Sequence, residues 1–246
     1  MADGLLAGAA SIPSAPLLVN GVGVGGGPAV QHVRDAVRRV VGRLPETDVV
    51  ILVAAGQAAI HDTVTVNLAG LGYPHVARTL EACGPAVVAL SRVTQYPRIR
   101  RPRLPLDLGV LALLVDRAPV VALEVPSSAE FPVLSALGTS VVQALEEAAL
   151  SGALVAAGDL SAGLRASSPL SARPGAQAWD DNVVQTFTDR EADALADLGP
   201  LRALEVGARG WAPLCVLRGA ATSASLTLTV RRYSAPRGVG YLVTSS

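Results

Sequence analysis

The sequence predicts one α/β domain of three layers, with a mixed, mainly parallel sheet flanked by helices. Three observations carry that prediction. Apolar runs of strand length alternate with amphipathic stretches of helix length, and parallel strands need such crossovers. Several of the runs are apolar at every position, as strands buried on both faces are. The chain has 246 residues, enough for one large core, and no Pro-, Gly- or Ser-rich linker divides it. Residues 1–246 are therefore read as a single domain.

In chain order, residues 15–19 (APLLV) read as a first strand and the Gly-rich stretch 20–27 as a turn. Residues 28–44 place Val30, Val33, Val37, Val40, Val41 and Leu44 on one face of a helix, with Pro28 suited to its first turn. Residues 48–55 (DVVILVAA), 85–91 (PAVVALS), 118–125 (APVVALEV) and 153–160 (ALVAAGDL) read as buried strands. Residues 132–150 read as a helix, with Ser127 or Ser128 as its cap. Residues 163–178 are loop-like. Helices follow over 179–187, 189–198 and 212–221. The alternation of Leu and Thr in 225–233 (SLTLTVRRY) predicts a half-exposed strand, and 238–244 (GVGYLVT) the last one.

Composition excludes several functions. Lys and Arg together number 20 against 20 acids, and every one of the 20 is Arg. A neutral chain offers no global field for nucleic acid or an anionic membrane. Without Lys there is no Schiff base and no Walker-type phosphate loop. The lack of Lys and the wealth of Ala, Val, Leu and Gly match a GC-rich genome. Cys83 and Cys215 fit no zinc spacing. The start of the chain is apolar but carries no cationic residue, so it is not read as a signal peptide. Acids and Arg interrupt the longest apolar runs before they reach membrane-spanning length. The expectation is a cytoplasmic protein.

Local motifs add little. Gly21, Gly23 and Gly26 satisfy G-x-G-x-x-G, but no acid follows at the end of the next strand to hold a ribose, so the stretch reads as a flexible turn. His32, His61 and His75 accompany no G-x-S-x-G elbow, and His61 beside Asp62 reads as surface. Arg98, Arg100, Arg101 and Arg103 form the one local charge cluster, which could grip an anionic ligand or partner but reads more readily as a solvated loop.

A wider pattern emerges from six stretches taken in order: 12–19 (IPSAPLLV), 48–56 (DVVILVAAG), 106–114 (LDLGVLALL), 155–187 (VAAGDLSAGLRASSPLSARPGAQAWDDNVVQTF), 207–220 (GARGWAPLCVLRGA) and 233–243 (YSAPRGVGYLV). Together they resemble the B-subunit family of class III extradiol ring-cleavage dioxygenases, the LigB-like and Memo-like proteins. Each motif is weak by itself; the collinear set spans nearly the whole chain. The resemblance implies a LigB-like domain.

Family chemistry rests on Fe(II) held by two His and one carboxylate, open on one side for catechol and O₂, with further His as acid and base. Carried over residue by residue, the ligand and acid–base positions fall on Ser14, Ala55, Leu108, Ala162 and Ser234. Asp107, Asp159 and Ser161 of the family motifs remain. The resemblance therefore implies the fold without its iron and with no cofactor. The expected protein is a degenerate, non-catalytic homologue, a pseudoenzyme, acting as a small-molecule-binding or protein-interaction module. Two alternatives stay open: a metal-independent enzyme using Asp107, Asp159 or Ser14, and a true dioxygenase whose ligands align elsewhere. Two expectations concern the former cleft. Asp159 should accept backbone N–H groups of residues 160–164. Arg165 or Arg237 should reach Asp107 or Asp159 and close a smaller, drier pocket.

Overall fold

A computed structural model of the chain describes residues 5–23, 27–117, 119–189 and 194–246. Its elements in order are β1 (Leu6–Ile12), α1 (Gly27–Arg43), β2 (Val49–Gly56), β3 (Ala59–His61), β4 (Val64–Leu68), β5 (Tyr73–Leu80), α2 (Gly84–Thr94), β6 (Arg98–Ile99), α3 (Leu106–Val115), β7 (Val120–Pro126), α4 (Phe131–Ala148), β8 (Gly152–Ala157), α5 (Ala176–Asp189), α6 (Ala194–Leu198), α7 (Pro200–Val206), α8 (Trp211–Ser223), β9 (Thr229–Ser234) and β10 (Tyr241–Ser245).

An eight-stranded sheet in the order β6-β3-β7-β2-β8-β1-β10-β9 forms the middle layer. Its centre, β7-β2-β8-β1, is parallel, and β10 and β9 add antiparallel strands at one edge. β3 runs antiparallel to β7 at the other edge, and β6 lies parallel to β3. The central strands are apolar throughout because both faces are covered. In β2, Val49, Ile51 and Val53 enter one core and Val50, Leu52 and Ala54 the other, the two-residue period of an extended chain. The first core lies under α2, α4, α5 and α8; the second lies under α1, α3 and the separate β4–β5 hairpin. Among the described residues no helix is long and apolar enough to cross a membrane.

The elements differ from expectation in instructive places. The first strand is β1, and residues 15–19 hold a single 3₁₀ turn, Pro16–Leu18; Pro16 has no N–H to give a sheet ladder. Residues 85–91 lie in helix α2, with Pro85 in its first turn. Ala86, Val87, Ala89 and Leu90 are buried while Val88 is exposed, a helical face that a short apolar run conceals. β8 ends at Ala157, so Asp159 lies beyond the strand. Glu130, not a serine, precedes α4, with no side-chain cap. The helix expected over 189–198 appears as α6, and residues 190–193 lie outside the described residues. The final strand begins at Tyr241, after a 3₁₀ turn at Pro236–Gly238.

Candidate functional site

Open parallel sheets present ligand sites beyond the carboxyl ends of their strands, and a cleft of about 350 Å³ lies there. Ala55 and Gly56, at the end of β2, line its base. Ser127, Ser128 and Glu130, between β7 and α4, form one side. The other side is Leu201, Ala203 and Leu204 of α7, followed by Ala208, Arg209 and Trp211. Leu201 and Leu204 are each 77% exposed, so the rim is apolar well beyond what one helix turn needs for its own packing. Trp211 is buried and donates its indole N–H to the carbonyl of Leu195 at 3.2 Å.

Behind the Arg209–Trp211 wall lies a polar pair. The Ser14 amide and hydroxyl both donate to Asp159 Oδ2, at 2.7 and 2.5 Å. The backbone of Asp159 is fixed as well: its carbonyl accepts from Gly210 N at 2.6 Å. A Cβ at Gly210 would lie 2.6 Å from that same oxygen, so only glycine permits this approach of α8 to the β8 loop. Burial pushes the Asp159 carboxyl up to about 6; the charge of Asp107 adds to the rise, while the Ser14 donors and Arg209 oppose it.

Asp107, in the first turn of α3, receives Arg209 Nε and Nη2 at 2.8 and 2.7 Å. The ion pair expected at the former cleft therefore exists, but its cation is Arg209. Arg165 and Arg237 are exposed and pair with no acid among the described residues. The expected loop bonds to Asp159 are also replaced. The amides of Leu160, Ala162 and Leu164 donate to the carbonyls of Gly240, Val206 and Gly238. Ser161 N donates instead to Asp180 Oδ1 at 2.9 Å, and Tyr233 Oη donates to Asp180 Oδ2 at 2.7 Å. Asp180 is fully buried, and burial pushes its carboxyl up to about 6 against those donors. The acid that holds the site loop is thus Asp180. Its signal in the sequence was phase: Trp179, Asp180, Val183 and Phe187 share the buried side of α5.

His61 is a second correction. It is fully buried, and Nε2 lies 2.7 Å from Glu124 Oε1. Glu124 Oε2 accepts Gln57 N at 2.8 Å, and Arg101 Nη1 stands 3.6 Å from Oε1. Burial lowers the His61 imidazole below its ordinary value, with Glu124 acting in the opposite direction. The carboxylate fills the space that a side chain at Gly56 would need: a Cβ there would lie 2.0 Å from Oε2. The arginine cluster is divided by this arrangement. Arg101 faces Glu124, Arg98 pairs with Asp62 at 3.0 Å, and Arg100 and Arg103 are exposed. His32 and His75 are on the surface.

Of the positions carried over from the family motifs, Ala55 lines the cleft and Ser14 lies behind its Arg209–Trp211 wall. Ala162 stands next to Gly207 of the lining, 3.3 Å from where a Cβ would be. Leu108 is buried in α3, and Ser234 ends β9. This donor set does not fit a mononuclear iron. Fe(II) needs imidazole, thiolate or carboxylate ligands, and these positions carry methyl, isobutyl and hydroxyl groups. Among the described residues, no three His, Cys, Asp or Glu side chains form a metal-binding group.

No family model matches the chain, and no curated protein matches it. Among solved structures, the chain is similar to the crystal structure of the uncharacterized protein JW3007 from Escherichia coli K12. The TM-score is 0.66 at 15% identity, over 97% of this chain and 98% of that one. At that identity the likeness shows the fold alone.

Proposed function

We propose that this protein is a non-catalytic small-molecule-binding module, a LigB-like domain that works without iron. The observation that carries the reading is the cleft itself. It lies where this sheet architecture binds ligands, has the volume of a small-molecule site, and is walled by apolar groups with few polar ones. The motif series supports the LigB-like framework, and the chemistry of Ser14, Ala55, Leu108, Ala162 and Ser234 argues against iron. The two cysteines are buried and unbridged, which suits the reducing cytoplasm.

The test is a titration with the fluorescent apolar probe anilinonaphthalene sulfonate, read also through Trp211. One saturable site is expected, weakened at least fivefold by Leu204→Glu, an exposed position whose change leaves folding intact. Catechol ring cleavage supported by added Fe(II) would overturn the reading, as would probe binding indifferent to Leu204.

One observation favours a second reading, metal-independent catalysis. The Asp159 carboxyl, raised to about 6 and bonded to a serine hydroxyl, has the form of a general acid–base. Activity abolished by Asp159→Asn without loss of folding would establish it.

A further inference from the structure

On the opposite side of the sheet from the cleft walls of α7 and α8, the β4–β5 hairpin leans over α1 and the end of α3. It leaves a second groove of about 350 Å³. The charge of this groove is unlike that of the chain. Arg34, Arg38 and Arg78 line it with a single carboxylate, Asp116, and His75, whereas the whole sequence balances 20 basic against 20 acidic residues.

Three arginines reach this one groove for reasons of local structure. Arg34 and Arg38 are four residues apart on α1 and so share a flank of that helix. Arg78 enters from β5. Arg34 is held in place: Nε and Nη2 donate to the carbonyl of Leu17, and Nη2 reaches that of Val22 at 3.3 Å. The hairpin is tied down beside it, because Gly23 N donates to Tyr73 Oη at 3.0 Å. Arg38 pairs with Asp35, and Arg78 with Asp116, but both pairs lie at the surface. Water and salt compete for exposed pairs of this kind, so a ligand can displace the carboxylates from both side chains at little cost. The remaining lining includes Val76, Leu113 and Leu114, an apolar surface that no anion needs.

We propose that this groove binds a small organic phosphate, with the phosphate between Arg34, Arg38 and Arg78 and the organic body against Val76, Leu113 and Leu114. A carboxylate offers two coplanar oxygens to one fork. A phosphate dianion offers three oxygens in three directions, which suits guanidinium groups arriving from separate positions. The apolar half of the groove separates an organic ester from inorganic phosphate. This site is independent of the strand-end cleft.

The test is calorimetric titration of the full chain with phenyl phosphate at low ionic strength, where charge interactions are least screened. One saturable site is expected, at least threefold tighter than inorganic phosphate, with phenol giving no comparable binding. Arg38→Gln and Arg78→Gln should each weaken it about tenfold. Arg43→Gln, exposed at the end of α1 outside the groove, should leave it unchanged, and so should Leu204→Glu in the other cleft. Absence of a saturable site would overturn the proposal. Equal weakening by Arg43→Gln would also overturn it, since that reports diffuse charge. Phenol binding as tightly as phenyl phosphate would remove the role of the arginines, and loss on Leu204→Glu would assign the binding to the strand-end cleft.

Discussion

The strand-end cleft is flanked by two acids held in opposite ways, Glu124 buried and Asp159 half-buried. On the β7 side, Glu124 meets His61, the Gln57 amide and, at longer range, Arg101. On the β8 side, Asp159 meets the two donors of Ser14, and its cation, Arg209, is engaged with Asp107. The first acid is sealed beneath the sheet edge by an imidazole, a backbone amide and, at longer range, a guanidinium. The second has neutral donors and another carboxylate nearby, so the cost of its charge is left largely unmet. The difference separates a structural acid from an available one: Glu124 holds the β2–β3 turn, while Asp159 stands poised near the site.

The largest effect that would break this comparison lies at Glu124. Glu124→Ala leaves His61 Nε2 and the Gln57 amide without their partner in a buried place. With the imidazole lowered below its ordinary value, the loss is that of stranded neutral donors, about 1–3 kcal/mol for each of the two. Chemical denaturation should record that loss; a change below about 1 kcal/mol would mean that the turn is held by its backbone alone.

Asp159→Ala should cost less, about 1–3 kcal/mol, because what it strands are the amide and hydroxyl of Ser14. Ser14→Ala should cost about 1 kcal/mol, and the double variant should cost less than the two together, as partners in one contact do. Strict additivity would separate the two residues.

The pH dependence sharpens the contrast, because the two sides carry opposite signs. Asp159 in the folded chain titrates near 6 against an ordinary 3.8, so between those values the native state binds the extra proton. Its contribution to stability is full at low pH and is lost as pH rises through that window. His61 is shifted the other way, below its ordinary 6.5; there the unfolded chain takes the proton, and stability is lost as pH falls through 6.5. Asp159→Asn removes only the first effect. Its melting midpoint relative to the native protein should therefore be higher at pH 7 than at pH 4.5. The same offset at both pH values would refute the raised carboxyl.

The comparison also marks what the sequence could convey. Sheet and helices were legible wherever apolar runs were long: β2, β7, β8, α1, α4 and α8 stand close to where periodicity put them. The run at 85–91 was not, since a short all-apolar segment suits a buried strand and a helix equally. β1 was hidden by alanine and glycine, which carry little strand preference. At the site, family motifs drew attention to Asp107, Asp159 and Ser14, and the fold gathers them near one strand end. Their partners were illegible. Arg209 lies 102 residues from Asp107, and His61 lies 63 from Glu124; no local pattern ties such positions together. Asp180 was visible in principle, as an acid on the apolar side of its helix.

The smallest expected effect concerns the Asp107–Arg209 pair at the cleft rim. Both guanidinium donors reach one carboxylate oxygen, a geometry that looks strong. The Arg209 side chain, however, is 64% exposed, so water competes for each partner and salt screens the attraction. Arg209→Gln should shift stability by less than about 1 kcal/mol, and the shift should shrink further in 1 M salt. The binding site should respond differently, because Arg209 lines the cleft whether or not it supports the fold. A loss of more than about 2 kcal/mol that persists in high salt exceeds what a screened surface pair supplies. It would make the pair a structural closure of the cleft, and Asp107 would join Glu124 among the acids that hold the fold.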